Sequence, residues 1–236
     1  MLGYIFFMAR KGKLIVIDGT DGSGKATQTE LLVKALKHEG RKVKIIDFPE
    51  YSANFFGRFI GHCLSEQYYN FVKVHPKIAS VLYAADRFES KDKIKKWLKE
   101  GYIVIADRYA SANQIHQGGK IANTKKRENF LKWLAEMEYE VFKIPRPDAV
   151  FYLNVPIPTV LQLIKARNKG KNGNSNKKKD VHEKDVKFLE NSRQSALWLA
   201  KTQRGWIKID CMAGKTLLSP KKIHAKIYEK ITKFLK

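Results

Sequence analysis

The chain is poor in cysteine, in acidic residues and in long apolar runs, and each shortage removes a class of protein. Only Cys63 and Cys211 occur among its 236 residues, in unrelated contexts. No disulfide framework is indicated, and a reducing, cytosolic setting is the expectation. No stretch reaches the ~18 apolar residues of a membrane-spanning helix. Asp and Glu number 23 against 46 Lys and Arg, a net charge of +23. That excess favours polyanions such as nucleotides, nucleic acid or an anionic membrane. Only 10 of the basic residues are Arg. The lysines, including Lys91, Lys93, Lys95 and Lys96 on one predicted helix, read as a solvated surface rather than a docking groove.

What is present fills a core. Hydrophobic residues make up 44% of the chain and aromatics 11%, which excludes disorder throughout. The apolar start Met1–Met8 has no basic region before it and no cleavage pattern after it, and it is short for a secretory signal, so none is expected. Met8 is an alternative start, and residues 1–12 read as an N-terminal extension to one domain over 13–236.

Five β-branched runs stand out: Leu14–Asp18, Val43–Phe48, Tyr102–Asp107, Ala149–Val155 and Trp206–Asp210. They are nearly continuous in apolar character, the pattern of strands covered on both faces of a parallel sheet. Helical stretches lie between them. Thr27–Glu39 ends at Gly40, and Lys77–Glu100, with Ile78, Val81, Leu82, Ala85, Ile94 and Leu98, ends at Gly101. Alternating strand and helix predicts an α/β fold with right-handed crossovers. Residues 167–179 (RNKGKNGNSNKKK) hold no large apolar side chain and predict a mobile surface loop. A helix is expected to resume at Asp180, with Phe188, Leu189 and Leu197 on its buried side.

The first run leads into Gly19-Thr20-Asp21-Gly22-Ser23-Gly24-Lys25-Ala26, the G-x-x-x-x-G-K spacing between a strand and a helix. Glycines let backbone N–H groups curl around phosphate oxygens, the helix N-terminus adds partial positive charge, and Lys25 reaches the outer phosphates. The bland alternative is a Gly-rich turn. One position departs from the pattern. Ala26 stands where Ser or Thr usually holds Mg²⁺, and Thr27, one residue on, points about 100° away. The metal is left to water, to Thr27 after a local shift, or to carboxylates elsewhere.

Further motifs follow in order: Asp47-Phe48-Pro49-Glu50-Tyr51, Leu82-Tyr83-Ala84-Ala85-Asp86-Arg87, Asp107-Arg108-Tyr109, Asn113 and His116-Gln117-Gly118. Together they make the chain resemble the thymidylate kinase family from about Leu14 to its C-terminus. The resemblance implies a P-loop three-layer α/β/α fold with a five-stranded parallel sheet of order 2-3-1-4-5. It also implies a homodimer, and Mg²⁺-dependent transfer of phosphate from ATP to dTMP, giving dTDP for dTTP synthesis. By the same resemblance ATP lies on residues Gly19, Thr20, Asp21, Gly22, Ser23, Gly24, Lys25, Ala26 and Thr27.

The dTMP site would comprise Asp21 near the sugar 3′-hydroxyl, and Phe48, Pro49 and Tyr51 on the phosphate side. Tyr83 would stack on thymine, Arg87 would donate to its O4, and Asn113 would read the ring edge. His116 would lie beneath the sugar, beside Gln117. The plain alternatives are a loop-capping Asp21, a core Tyr83, an Arg87 paired with an acid such as Glu50, and a His116 that only packs. Arg108 has the planar guanidinium to bridge the acceptor phosphate and the γ-phosphate, and Asp107 is placed to hold Mg²⁺. The family carries a catalytic arginine in the phosphate loop or in a mobile lid, which the resemblance puts at about 165–183 here. Gly22 follows Asp21 here, which leaves Arg167, backed by Lys169, Lys171, Lys177, Lys178 and Lys179. Lys25, Arg108, Asp21 and Arg167 are therefore the expected catalytic set. Asp180 and Glu183 match an Asp-x-x-Glu pair near the metal in some relatives, and equally a helix cap with its capping-box glutamate. Competing readings are a P-loop kinase for dUMP or a deoxynucleoside, and a nucleic-acid-binding ATPase.

Overall fold

The computed structural model describes residues 11–65, 73–169 and 185–235. Five parallel strands form one sheet: β1 (Lys13–Gly19), β2 (Val43–Asp47), β3 (Ile103–Asp107), β4 (Ala149–Asn154) and β5 (Trp206–Asp210). Their order is β2-β3-β1-β4-β5, as expected, and each expected run is a strand to within a residue or so. Side chains of β1 alternate between two cores because successive residues point to opposite faces. Ile15 and Ile17 pack with Leu32, Leu36, Phe151, Val160 and Ile227. Leu14 and Val16 pack with Ile94, Val104, Ala106 and Tyr109 on the other side.

Helices α1 (Lys25–His38), α2 (Phe55–Leu64), α3 (Pro76–Glu89), α4 (Lys91–Lys99) and α5 (Ala110–Ala112) precede β4. α5 widens at once into a π turn over Asn113–Gln117. Next comes α6 (Thr124–Ala135), which runs into a second π turn over Glu136–Val141. α7 (Ile157–Lys169), α8 (Val186–Thr202) and α9 (Pro220–Ile231) complete the helical layers. A small hairpin, β6 (Met212–Ala213) with β7 (Thr216–Leu217), was not foreseen.

Three expectations need correction. The single helix Lys77–Glu100 is two helices meeting at Ser90, which ends α3 and begins α4. Its predicted apolar face is also wrong at two positions: Ile78 and Val81 are 58% and 40% exposed, while Ala79, Ser80, Ala84 and Arg87 face inward. α3 packs against α2 and the first π turn through small side chains, so the largest apolar residues do not mark the inner face. Arg167 is not in a loop: α7 continues through Lys169. The helix expected from Asp180 is described from Val186, with Asp185 as its N-cap accepting from the Phe188 N–H at 2.9 Å. Asp180 and Glu183, like Lys171 and Lys177–Lys179, lie outside the described residues, as does the extension 1–10.

Candidate active site

The loop between β1 and α1 has the shape its glycines predict. Gly22 and Gly24 take φ of +79° and +90°, values that side chains resist. A Cβ on Gly22 would also lie 2.7 Å from Ile164 Cγ1. Lys25 folds back and donates from Nζ to the carbonyls of Gly19 and Thr20, both at 3.1 Å. Burial and the nearby Arg108 lower its pKa, while Asp21, Asp107 and Asp18 oppose them. Beneath the loop, Asp18 is fully buried and accepts from the Gly19 N–H at 2.8 Å and the Ser111 hydroxyl at 2.6 Å.

Two depressions share one wall. The first is lined by Pro49, Tyr83, Arg87, Asn113, His116 and Gln117 among others. The second lies over the loop and is lined by Gly22, Gly24, Lys25, Ala26, Thr27 and Arg167 with neighbours. Asp21, Phe48, Tyr51 and Arg108 border both. Arg108 Nη2 pairs with Asp21 Oδ1, and its Nη1 lies 3.3 Å from His116 Nε2. Burial works against its charge, but Asp21, Asp18 and Asp107 outweigh that and hold the guanidinium protonated. A guanidinium only donates, so His116 Nε2 is the acceptor. Nδ1 then carries the proton and donates to Ser192 Oγ at 3.1 Å. The His116 ring stacks on Phe188, centroids 5.8 Å apart.

At the other end of the first cleft, Arg87 is 2% exposed and gripped by Glu138. Nε donates to Oε2 at 3.0 Å, and Nη2 pairs with Oε1. Asn113 Nδ2 donates to the Ser80 carbonyl and to Glu138 Oε1, both at 3.1 Å. Asp86, just before Arg87, ties down the loop after β2: it accepts from the Glu50 N–H at 3.1 Å and from Asn54 Nδ2 at 2.8 Å.

The thymidylate kinase family model matches residues 17–226. The chain belongs to the thymidylate kinase family, and is thereby a phosphotransferase. The human thymidylate kinase is 34% identical over 163 residues, 69% of this chain and 67% of that one. The Plasmodium falciparum enzyme is 34% identical over 147 residues, 62% of this chain and 63% of its own. The Thermosipho melanesiensis thymidylate kinase is 30% identical over 199 residues, covering 83% of this chain and 88% of that one. The structure of thymidylate kinase from Candida albicans superposes with a TM-score of 0.70 at 22% identity, over 94% of this chain and 92% of that one. That likeness concerns the fold.

For this family member, the residues expected to hold dTMP all line the first cleft. Among those expected to hold ATP, Asp21, Gly22, Gly24, Lys25, Ala26 and Thr27 line the second. Gly19, Thr20 and Ser23, also expected there, are buried and do not line it. Two pairings differ from the plain alternatives. The acid on Arg87 is Glu138, not Glu50, which instead binds Ser90 and Lys93. His116 does not merely pack, since it holds Arg108. Glu138 and Ser192 were not singled out in the sequence, while Asp47 was named only within a motif and Phe188 only as part of a buried helix face. For Glu138 a signal existed: it continues the row Phe130, Leu134, both buried, at four-residue spacing. An acid on an apolar row has a partner inside.

The donor set suits a hard divalent cation. Asp47 and Asp107 are register partners on β2 and β3, and both line the second depression. Asp107 Oδ1 is buried without a hydrogen-bond partner. Partial burial and the Asp107 charge push the Asp47 carboxyl up to about 6, a crowding that a dication relieves. Among the described residues no three metal-binding side chains converge. Mg²⁺ does not need them, because it keeps several waters and takes one or two carboxylates plus substrate phosphates.

Proposed function

We propose that the protein phosphorylates dTMP to dTDP with ATP and Mg²⁺, by in-line transfer without a covalent intermediate. The observation that carries this reading is the shared wall. A cleft lined by aromatic and polar side chains and a phosphate loop meet at Arg108, so one guanidinium serves the acceptor phosphate on one side and the transferred phosphoryl on the other. Backbone N–H groups of the loop and Lys25 hold the donor phosphates. Arg167, at the rim of the second depression, adds a cation from the donor side. Asp21 is anchored on Arg108 and faces the acceptor sugar. Asp107 and Asp47 would hold Mg²⁺ in place of the hydroxyl that Ala26 lacks. When bound, that ion neutralises phosphate charge.

Tyr83 offers a ring for the base, while Arg87 and Asn113 offer polar atoms to its edge. That base-reading end sets dTMP kinase apart from a nucleic-acid-binding ATPase. Arg108 at the phosphate end fits a monophosphate better than the 5′-hydroxyl of a nucleoside. Two buried free cysteines agree with a cytoplasmic setting, and no described helix is long and apolar enough to cross a membrane. A homodimer would cover the exposed Phe55, Ile78, Val81 and Phe88 of α2 and α3. A single domain over 13–236 with a lid at about 165–183 completes the reading; residues 170–184 of that span lie outside the described residues.

The test is a coupled ADP-release assay with dTMP, dUMP, dCMP and thymidine as acceptors. The expected order puts dTMP first, dUMP behind it, and dCMP and thymidine near background. Turnover of thymidine without turnover of dTMP would assign the protein to the deoxynucleoside kinases instead.

A further inference from the structure

Glu138 touches neither depression, yet it holds both polar residues at the base end of the acceptor cleft. It is 1% exposed, on the second π turn, and its two oxygens accept from Arg87 and from Asn113. Each of these contacts constrains the atoms left over.

The Asn113 amide has an oxygen and a nitrogen that can exchange places by a half-turn. Here only one choice satisfies the chemistry. The two groups behind it, the Ser80 carbonyl and the Glu138 carboxylate, are both acceptors. Nδ2 must face them and Oδ1 must face away. Nδ2 carries two hydrogens, and both are taken. Asn113, which lines the cleft, therefore presents an acceptor there and no donor.

Arg87 is constrained in the complementary sense. The Glu138 grip occupies the Nε–Nη2 edge. That leaves Nη1, with two N–H groups, as the donor end of a side chain that also lines the cleft. The cleft thus carries one acceptor and one donor side by side, their order set from behind by a single carboxylate.

We propose that Glu138 is a positioning residue that fixes the hydrogen-bond polarity of the base site, so that it accepts a pyrimidine with an N3–H beside a C4 carbonyl and rejects one with a bare N3 beside an amino group. Thymine and uracil present N3–H as donor and O4 as acceptor, the complement of Asn113 Oδ1 and Arg87 Nη1. Cytosine presents the reverse at both atoms, which sets acceptor against acceptor and donor against donor. A buried site built for one pattern rejects the other because its own polar groups are left unpaired. The inference rests on dTMP being the acceptor and adds what sets the choice among pyrimidines.

Glu138→Gln tests it. A carboxamide has one acceptor and one donor, so it cannot satisfy Arg87 Nε, Arg87 Nη2 and Asn113 Nδ2 together. It gives Asn113 a reason to turn over. The ratio of kcat/KM for dTMP to that for dCMP should fall at least tenfold, mostly through a higher KM for dTMP, with KM for ATP unchanged. Glu138→Asp, which keeps two acceptors, should recover part of the ratio. A Glu138→Gln enzyme that folds and keeps the wild-type ratio overturns the proposal. So does one in which activity on every acceptor falls in proportion. If wild type itself does not use dTMP, the functional reading fails first, and the assay shows that separately.

Removing the charge opposite a buried arginine can unfold a protein, so a second measurement uses the wild type. With selectively ¹⁵N-labelled asparagine, the Asn113 side-chain N–H pair should already resist solvent exchange without nucleotide. Exchange that is fast in the free protein and slowed only by dTMP would mean that Nδ2 faces the ligand, against the proposal.

Discussion

Arg108 takes φ of +65°, a left-handed conformation that few residues other than glycine adopt and that costs of order 1–3 kcal/mol. Its contacts over-determine that geometry: Asp21 on Nη2, His116 on Nη1, and a backbone N–H donated to the Ile17 carbonyl at 3.0 Å. Both nitrogens of one planar fork are used, which an ammonium cannot reproduce. Arg108→Lys should therefore lower kcat by ~10²-fold or more, with KM for ATP little changed and the melting temperature near wild type. Steady-state kinetics beside a thermal melt would check this. A lysine enzyme within threefold of wild-type kcat would show that charge alone suffices. At this scale the Asp-Arg-Tyr motif was legible in the sequence as chemistry, but the role of His116 was not. Histidine appears in many settings, and only its two neighbours fix its tautomer and its task.

Among the elements, the junction of α3 and α4 carries the most information. Hydrophobic spacing continues across residues 77–100, but Ser90 divides the helix. Its hydroxyl is bound to Glu50 and accepts from Asn54 Nδ2 at 3.0 Å. Asn54 also reaches Asp86, so the break, the loop after β2 and the Arg87 helix form one polar knot. Ser90→Ala would leave Glu50 and Asn54 short of a partner, a loss of ~1–2 kcal/mol. The melting temperature should fall by about 2–8 °C, readable by calorimetry, and an unchanged melt would mean that the knot adds nothing. The two π turns belong at this scale too. Each holds one member of the Asn113–Glu138 contact, in keeping with the tendency of such single wide turns to occur at functional sites. Sequence periodicity does not resolve them, because one extra residue in a turn barely disturbs a 3.6-residue pattern.

For the whole molecule, the +23 charge is background and the exposed apolar residues are the informative surface. Phe55 and Ile78 are 62% and 58% exposed on helices that pack against each other. Sedimentation velocity should give a species of twice the 27.2 kDa chain mass. Ile78→Lys combined with Val81→Lys should shift it to one chain mass with the melt retained. A wild-type protein that sediments as a monomer at micromolar concentration would remove the dimer from the reading.

Local order was written in the chain itself. The central strands β1, β3 and β4 show as continuous β-branched runs because both of their faces are covered, whereas the edge strands β2 and β5 leave Ile45 and Lys208 exposed. The phosphate loop shows because its glycines, lysine and strand–helix context are contiguous. The tertiary structure decided which distant groups meet. Arg87 finds Glu138 rather than Glu50 across 51 positions, Asp47 comes to lie beside Asp107 on adjacent strands, and His116 bridges Arg108 to Ser192. Those partners depend on the sheet order and on how α3, the π turns and α8 pack over it. Carboxylates and cations are interchangeable by spacing alone, and burial removes that freedom by requiring each polar group to find one satisfied geometry.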